Sequence, residues 1–269
     1  MKKNFLLLVL FQVSLIFGAL HAQGIIETTD SAKTFSASKK ITTQKQENLV
    51  KLNLAGLVFK NFNLQYEHTL SRKFSLALAI SIMPSRGIPL KNSIISSLDV
   101  TDTDVKNTIE KLNISSFSIA PEVRFYVGKK GYGKGLYLAP YVKYTSLKTT
   151  NMVFTYQNIL NVSSSIELSG NFNTIAGGLQ VGAQWMLGKH ICVDWWIIGA
   201  HYGSGNGNYT GITSKMLGPE EQADLKKQLD DVNLPIISKT VTVSTNGATV
   251  QLNGPWASFR TGLCIGYRF

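Results

Sequence analysis

The chain has 269 residues, 44% of them hydrophobic, and carries 27 lysines and arginines against 16 acidic residues, for a formal charge of +11. That composition can bury a core, but beyond the N-terminus it holds no uninterrupted apolar run of about eighteen residues, which excludes a bundle of membrane-spanning helices. No nucleic-acid-binding module accompanies the basic excess, which suits anionic lipid headgroups better than nucleic acid.

The N-terminus reads as a signal peptide over residues 1–22. Lys2 and Lys3 form its basic region, Phe5 to Phe17 its apolar stretch, and Leu20-His21-Ala22 a cleavage site before Gln23. The apolar stretch is about a dozen residues, short of the ~20 needed to span a bilayer, so it is a removable address. No cysteine lies beside the cleavage site, which disfavours a lipid anchor. Removing Lys2 and Lys3 leaves 25 basic against 16 acidic residues, about +9. Residues 23–48 are rich in Ser, Thr and Lys, have little periodicity and read as a flexible periplasmic segment.

From Leu49 the pattern becomes period-two, the signature of half-buried strands. Strand one is expected over Leu49–Phe59, with Lys60-Asn61 as a turn. Strand two, Phe62–Leu70, sets Phe62, Leu64, Tyr66 and Leu70 against Asn63, Gln65, Glu67 and Thr69. Strand three, Phe74–Met83, sets Phe74, Leu76, Leu78, Ile80 and Ile82 against small residues that suit a narrow interior. A polar stretch, Pro84–Asn113, follows, with a short helix expected around Asp102–Leu112. Strand four, Ile114–Val127, places Phe117, Ile119, Val123 and Phe125 outward and Ser118, Ala120, Glu122 and Arg124 inward. The glycine-rich segment Gly128–Lys134 lacks phosphate-loop spacing and reads as a flexible basic hairpin turn into strand five, Leu136–Thr145. Strand six spans Asn171–Leu187. Strand seven, Ile191–Tyr202, is apolar on both faces near Trp195 and Trp196, so its register is open. The last strand runs from Trp256 to Phe269.

Between Gly203 and Pro255 lies a long loop with its own organisation. Pro219–Val232 reads as a helix, with Pro219 at its start, Glu220 and Glu221 in the first turn, and Leu225, Leu229 and Val232 on one side. Asn246-Gly247 is a hairpin signal. The loop can act as a lid, an adhesive surface or simple protection, and the sequence does not separate the three.

The last strand decides the fold class. Phe259, Thr261, Leu263, Ile265, Tyr267 and Phe269 alternate with Ser258, Arg260, Gly262, Cys264, Gly266 and Arg268 to the final residue. One face suits hydrocarbon and the other a wet interior. The ending with Tyr267 and Phe269 resembles the aromatic signature by which bacterial barrels are inserted, which implies the barrel-assembly machinery as a partner. The expected fold is all-β: a transmembrane antiparallel β-barrel of about eight strands over residues 49–269, with short periplasmic turns and long extracellular loops. Trp185, Trp195, Trp256, Tyr267 and Phe269 are expected in the aromatic girdles, and Trp196 inside.

Glu67, Glu122, Arg124, Asp194, Arg260 and Arg268 fall on inward faces, which predicts an interior charge network. It reads first as structural filling and second as a narrow solute path, because charges in so narrow a barrel must be paired or hydrated. His68, His190 and His201 are scattered. Ser204 lies near His201, but no carboxylate partner is identifiable, so the chain is read as non-catalytic. Cys192 and Cys264 lie on neighbouring strands and are either free or bridged. No cofactor or metal motif is evident.

The segments Lys51-Leu52-Asn53-Leu54, Leu64-Gln65-Tyr66-Glu67, Ala120-Pro121-Glu122-Val123-Arg124-Phe125-Tyr126 and Gly182-Ala183-Gln184-Trp185 resemble a family of small outer-membrane barrels common in Bacteroidota, DUF3575-like. The resemblance covers the strands from Lys51 to Tyr202 and the last strand. It implies a barrel of uncharacterised role in the cell outer membrane, embedded in its lipid, and supplies no catalytic residues. The expected role is envelope-structural or surface-interacting. A narrow solute conduit or small-ligand-binding barrel comes second, and an outer-membrane enzyme third.

Overall fold

The computed structural model describes residues 47–89, 91–97, 103–157, 163–213, 215–232, 234 and 236–269. The signal peptide and nearly all of the segment 23–48 lie outside the described residues; Glu47 and Asn48 already belong to the first strand. The strands are β1 (Glu47–Asn53), β2 (Phe62–Thr69), β3 (Phe74–Gly87), β4 (Asn113–Tyr126), β5 (Gly135–Gln157), β6 (Ser163–Leu187), β7 (Ile191–Ile212), β8 (Ser238–Ser244) and β9 (Gly247–Arg268). The helices are α1 (Leu54–Val58), α2 (Lys91–Ser97), α3 (Thr103–Lys111) and α4 (Pro219–Asp230).

All strand pairs are antiparallel, in the order β1-β2-β3-β4-β5-β6-β7-β9-β8, and β1 also pairs with β9. Eight strands therefore close into a ring, and β8 is an appendage on β9. The closure runs from Leu49 opposite Arg268 to Asn53 opposite Cys264. It is sealed at the chain end, where Asn48 and Phe269 exchange backbone hydrogen bonds of 3.1 and 3.0 Å. The connections at 70–73, 127–134 and 188–190 mark one end of the ring, the turn end. The longer connections and helices mark the other, the loop end.

Near the turn end the polarity is inside out. On β3, Phe74, Leu76, Leu78, Ile80 and Ile82 are exposed while Ser75, Ala77, Ala79 and Ser81 are buried. Toward the loop end the polarity reverses. On β6, outward Glu167, Ser169, Asn171 and Asn173 give way to Ile175, Leu179 and Trp185, while inward Ile166, Leu168 and Phe172 give way to Thr174, Gln180 and Gln184. The switch lies at the same height on β7, between exposed Tyr202 and Ser204, because Ile175 pairs with Ser204.

This reversal explains where the sequence reading fell short. The segments read as loops at 146–170 and 203–255 contain long strand continuations, with Gly203–Ile212 paired to β6 on one side and to β9 on the other. They lack the outward apolar pattern because those outward positions are polar. The run Gly203-Ser204-Gly205-Asn206-Gly207-Asn208, read as flexible, is pleated strand with Gly205 and Gly207 pointing inward. A Cβ on either would meet the Phe172 ring at 2.5 or 2.7 Å, so glycine is what lets that ring lie against the wall.

The inward apolar residues of the loop end form one core with the helices. Met152, Tyr156, Ile166, Leu168, Phe172, Tyr209, Val250 and Leu252 pack with Ile109 of α3 and with Leu225 and Leu229 of α4. The expected helix at 219–232 is observed as α4, whose Glu221 carboxylate accepts from the Gly218 backbone N–H at 3.0 Å. Its C-terminal carbonyls are satisfied by Lys239 of β8, whose Nζ donates to Leu229, Asp230 and Val232 at 2.5, 3.0 and 2.6 Å. The Asn246-Gly247 signal is the β8–β9 turn.

Other differences are local. Strand one stops at Asn53, whose side chain accepts from the Gly56 N–H at 3.2 Å, and the chain continues as α1. Strand seven is apolar on both faces because Ile197 is an extra residue: Trp196 pairs with Gly182 and Ile198 with Val181, so the inward parity changes there. Trp256 is turned inward, 5.5 Å from the Phe172 ring, and belongs to no outer girdle.

Replacing Gly205 with Val is expected to destabilise the loop-end core by about 1–3 kcal/mol through overpacking against Phe172. Ser204→Val, outward and exposed, is expected to be near neutral. Urea titration of both variants, read by proteolytic nicking between residues 213 and 247, checks this.

Candidate functional site

The interior holds two features with chemistry: a charged cluster nearer the turn end and a cavity above it. Period-two alternation aims the cluster inward from every strand of the ring. Lys51 comes from β1, Gln65 and Glu67 from β2, Ser75 from β3, and Glu122, Arg124 and Tyr126 from β4. Tyr137 comes from β5, Gln180 and Gln184 from β6, Asp194 and Trp196 from β7, and Arg260 from β9.

Arg124 sits at its centre, fully buried. Its Nε donates to Glu122 at 2.6 Å, its Nη1 to Glu67, Gln184 and Asp194 at 3.1, 3.0 and 2.6 Å, and its Nη2 to Gln65 at 2.8 Å. Lys51 Nζ donates to Glu67, to Gln184 at 2.5 Å and to Asp194 at 2.8 Å. Glu67 also accepts from Ser75 at 2.5 Å and Tyr126 at 2.7 Å, and Asp194 from Tyr137 at 2.8 Å and Trp196 at 3.2 Å. Arg260 Nη2 donates to Glu122, and its guanidinium lies 3.7 Å over the Tyr141 ring. Three cations face three carboxylates, so the cluster is neutral and nearly every charge is hydrogen-bonded from several sides.

Five of the six residues expected in the network, Glu67, Glu122, Arg124, Asp194 and Arg260, are together. Arg268 is not: its guanidinium lies at the turn-end rim, bonded to Glu47 at 2.7 Å and to the Lys189 carbonyl at 2.9 Å. Lys51 holds the interior position that the sequence reading gave to Arg268. A signal for it exists, because Lys51 and Asn53 alternate with apolar Val50 and Leu52, but apolar Leu49 falls on the same face as Lys51 and blurs the pattern. Tyr267 and Phe269 are exposed on the last strand, and Tyr267 stacks on His190 at 5.4 Å.

The segment Gly128–Lys134, read as flexible, folds across the turn end. Gly131 and Gly133 adopt φ of +62° and +68°. Gly133 offers its carbonyl to Gln184 Nε2 at 2.8 Å, and Tyr132 donates its backbone N–H to the Arg72 carbonyl at 2.8 Å. Cys192 and Cys264 are both free and buried; Cys264 pairs in register with Asp194, not with Cys192.

Above the cluster lies a cavity of about 230 Å³. Its floor includes Trp196 and Arg260, its roof Met83, Ile114 and Phe172 of the loop-end core. Lys143, His201 and Ser258 line its side. His201 Nδ1 is 2.9 Å from the Tyr141 hydroxyl, whereas Ser204 is exposed on the opposite face, so these two do not form a nucleophile and base. Among the described residues no group of three or more His, Cys, Asp or Glu side chains is placed to hold a metal ion, and no helix is long and apolar enough to cross a membrane.

Replacing Lys51 with Met leaves Glu67 and Asp194 short of a buried cation. The expected cost is about 3–5 kcal/mol, the range for breaking a buried pair from one side. Arg268→Met, at the partly solvated rim, is expected to cost ~1 kcal/mol or less. Urea unfolding of the two variants in detergent micelles makes the comparison.

The family model described as "Protein of unknown function (DUF3575)" matches residues 32–223. Among solved structures, the crystal structure of the N-terminal β-barrel domain of Pseudomonas aeruginosa OprF is similar at 10% identity, covering 84% of this chain and 100% of that one, with a TM-score of 0.24. No curated protein matches the chain.

Proposed function

The chain belongs to the DUF3575 family, whose role is not established, and we propose that it is an outer-membrane barrel that does not conduct and that presents a folded cap at the cell surface. The observation that carries this reading is the interior cluster: the side chains of Lys51, Glu67, Glu122, Arg124 and Asp194 are fully buried and bonded to one another across the ring. A water path through the ring would have to break these pairs.

The outer-membrane location is supported by the exposed apolar belt. Phe74, Leu76, Leu78, Ile80 and Ile82 on β3 are joined by exposed Ile175, Leu179, Trp195, Ile198, Leu263 and Ile265 on β6, β7 and β9, whereas soluble monomers keep exposed apolar patches small. At ~3.3 Å per residue and ~40° tilt, such strands cover a lipid band of ~25 Å. The polarity reversal near Ile175 then corresponds to the outer margin of the lipid. The strands, β8 and the helices beyond that margin form the surface-exposed cap. In this reading outer-membrane lipid and, through the strand ending at Tyr267 and Phe269, the barrel-assembly machinery are the partners, and the role is envelope-structural or surface-interacting without catalysis.

Two measurements test this. Unheated protein from the outer-membrane fraction is expected to migrate faster on SDS gels than boiled protein. In planar bilayers the refolded protein is expected to show no ohmic conductance. Steady conductance abolished by changes at Glu122 or Arg124 would replace the proposal with the conduit reading. Release in soluble form without a gel shift would overturn the membrane reading altogether.

A further inference from the structure

The ring is closed only near the turn end. Along the β9 edge opposite β7, β1 pairs no further than Cys264 and β8 begins only at Asn253, so among the described residues no strand lies along that edge of Gly254–Leu263. On the far side of this gap β2 begins at Phe62, opposite Ile82 of β3. The single helical turn α1 and the turn after it occupy the gap. They are held there by Arg86 Nη1 donating to the Phe59 carbonyl at 2.6 Å and by Ser81 Oγ donating to Asn61 Oδ1 at 2.5 Å. Ala55, Gly56 and Phe59 of this segment line the cavity, while Val58 is 75% exposed on its outer side.

Here a helical turn instead of a strand walls a chamber whose floor is the charged cluster and whose roof is the apolar core. The height of this wall is set by β9. Leu263 is an exposed member of the belt, and Pro255 stands opposite Ser204, where the outward face of β7 has turned polar. A lipid in the outer leaflet thus presents its headgroup region to this wall.

The chamber has a chemical preference. Among the described residues none of its lining side chains is acidic, and two cations, Lys143 and Arg260, face into it. Lys143 has no ion-pair partner among the described residues, in contrast to Lys51 and Arg124 below. Arg260, 8% exposed, uses Nη2 on Glu122 but has a buried Nε without a hydrogen-bond partner among the described residues. Asn63, also in the lining, has a buried Oδ1 in the same condition. An unpartnered cationic donor and an unpartnered acceptor in one lining fit a ligand that carries negative charge and also donates a hydrogen bond. Ser118, Thr145 and Ser258 add hydroxyls around the same space.

From this we propose that the chamber binds a phosphate ester bearing a hydroxyl group, with its phosphate between Lys143 and Arg260. The volume of about 230 Å³ lies below the ~300–1,000 Å³ of pockets that enclose drug-sized ligands, so only a headgroup-sized moiety fits inside. Any acyl chains must stay outside, on the side where α1 and not a strand forms the wall. The same chemistry is offered by a free polyol phosphate and by a hydroxylated phospholipid headgroup. This goes beyond the non-conducting barrel, and it rests on the cavity itself rather than on the surface role of the cap.

The test is calorimetric titration of the full-length refolded protein in neutral detergent with glycerol phosphate and, separately, with dihexanoyl phosphatidylglycerol, against blank micelles. Folding of every variant is checked independently by the heat-dependent gel shift. Lys143→Met is expected to weaken binding at least tenfold, while Lys148→Met, whose side chain is exposed on the outer face of β5, leaves it unchanged. Tighter binding of the lipid, lost in Ala55→Trp while glycerol phosphate binding persists, identifies the headgroup as the source. Equal affinities insensitive to Ala55→Trp retain the site and identify the free phosphate ester instead. No heat with either ligand, or affinities unaltered by Lys143→Met in a folded barrel, overturns the inference.

Discussion

The buried charge cluster is the constraint around which the structure is organised. A ring of eight strands is too narrow for an open channel and too wide for small side chains alone to fill, so long polar side chains must meet across it. Charges are tolerated there only when desolvation is offset by near-complete pairing, and Arg124 achieves this by reaching groups on β2, β4, β6 and β7 at once. The cluster is cooperative by construction. Each strand brings at least one member, and no member is satisfied until the neighbouring strands are in register. This makes it a device for selecting one register among the slips that a smooth apolar belt would permit.

Above the cluster the inside and outside exchange character. In the belt apolar residues face out and polar groups go in; beyond it β5, β6, β7 and β9 turn their apolar residues inward, the exchange that the proposed lipid boundary would require. On β6 only the identity of alternate residues changes, whereas on β5 a register shift between Thr149 and Met152 resets the inward parity so that Met152 and Tyr156 face the core. The helices α3 and α4 complete the upper core, and Lys239 ties the end of α4 to β8. The short strands β1 and β2 stop below this level, so α1 instead of a strand forms the wall on one side of the chamber beneath the cap.

Two small backbone devices fit these parts together. The extra residue Ile197 changes the inward parity of β7, so that Asp194 and Trp196 serve the cluster while His201 faces the chamber. The glycine pair Gly205 and Gly207 opens space for Phe172, which forms the chamber's roof with Met83 and Ile114. Each acts through geometry, not through any chemistry of its own.

The sequence by itself determined the barrel and most of its interior. Period-two alternation from Phe62 through Ile82, and again on the fourth, sixth and C-terminal strands, assigned faces to residues such as Glu67, Glu122, Arg124 and Arg260, because the side-chain period of a strand is a property of the backbone alone. It also identified α3, α4 and the β8–β9 turn, whose signals are local. What only the tertiary structure decided is everything that depends on neighbours or on the phase outside. Lys51, not Arg268, completes the cluster, because shear between β1 and β9 sets which inward cation reaches Glu67. The strands continue through Gly203–Ile212 because that segment pairs with β6 on one side and β9 on the other, a long-range register that its polar outward residues do not announce. The chamber at Lys143 exists because β1 gives way to α1 at Asn53 while β9 continues, a difference in height between strands far apart in sequence that no local pattern encodes.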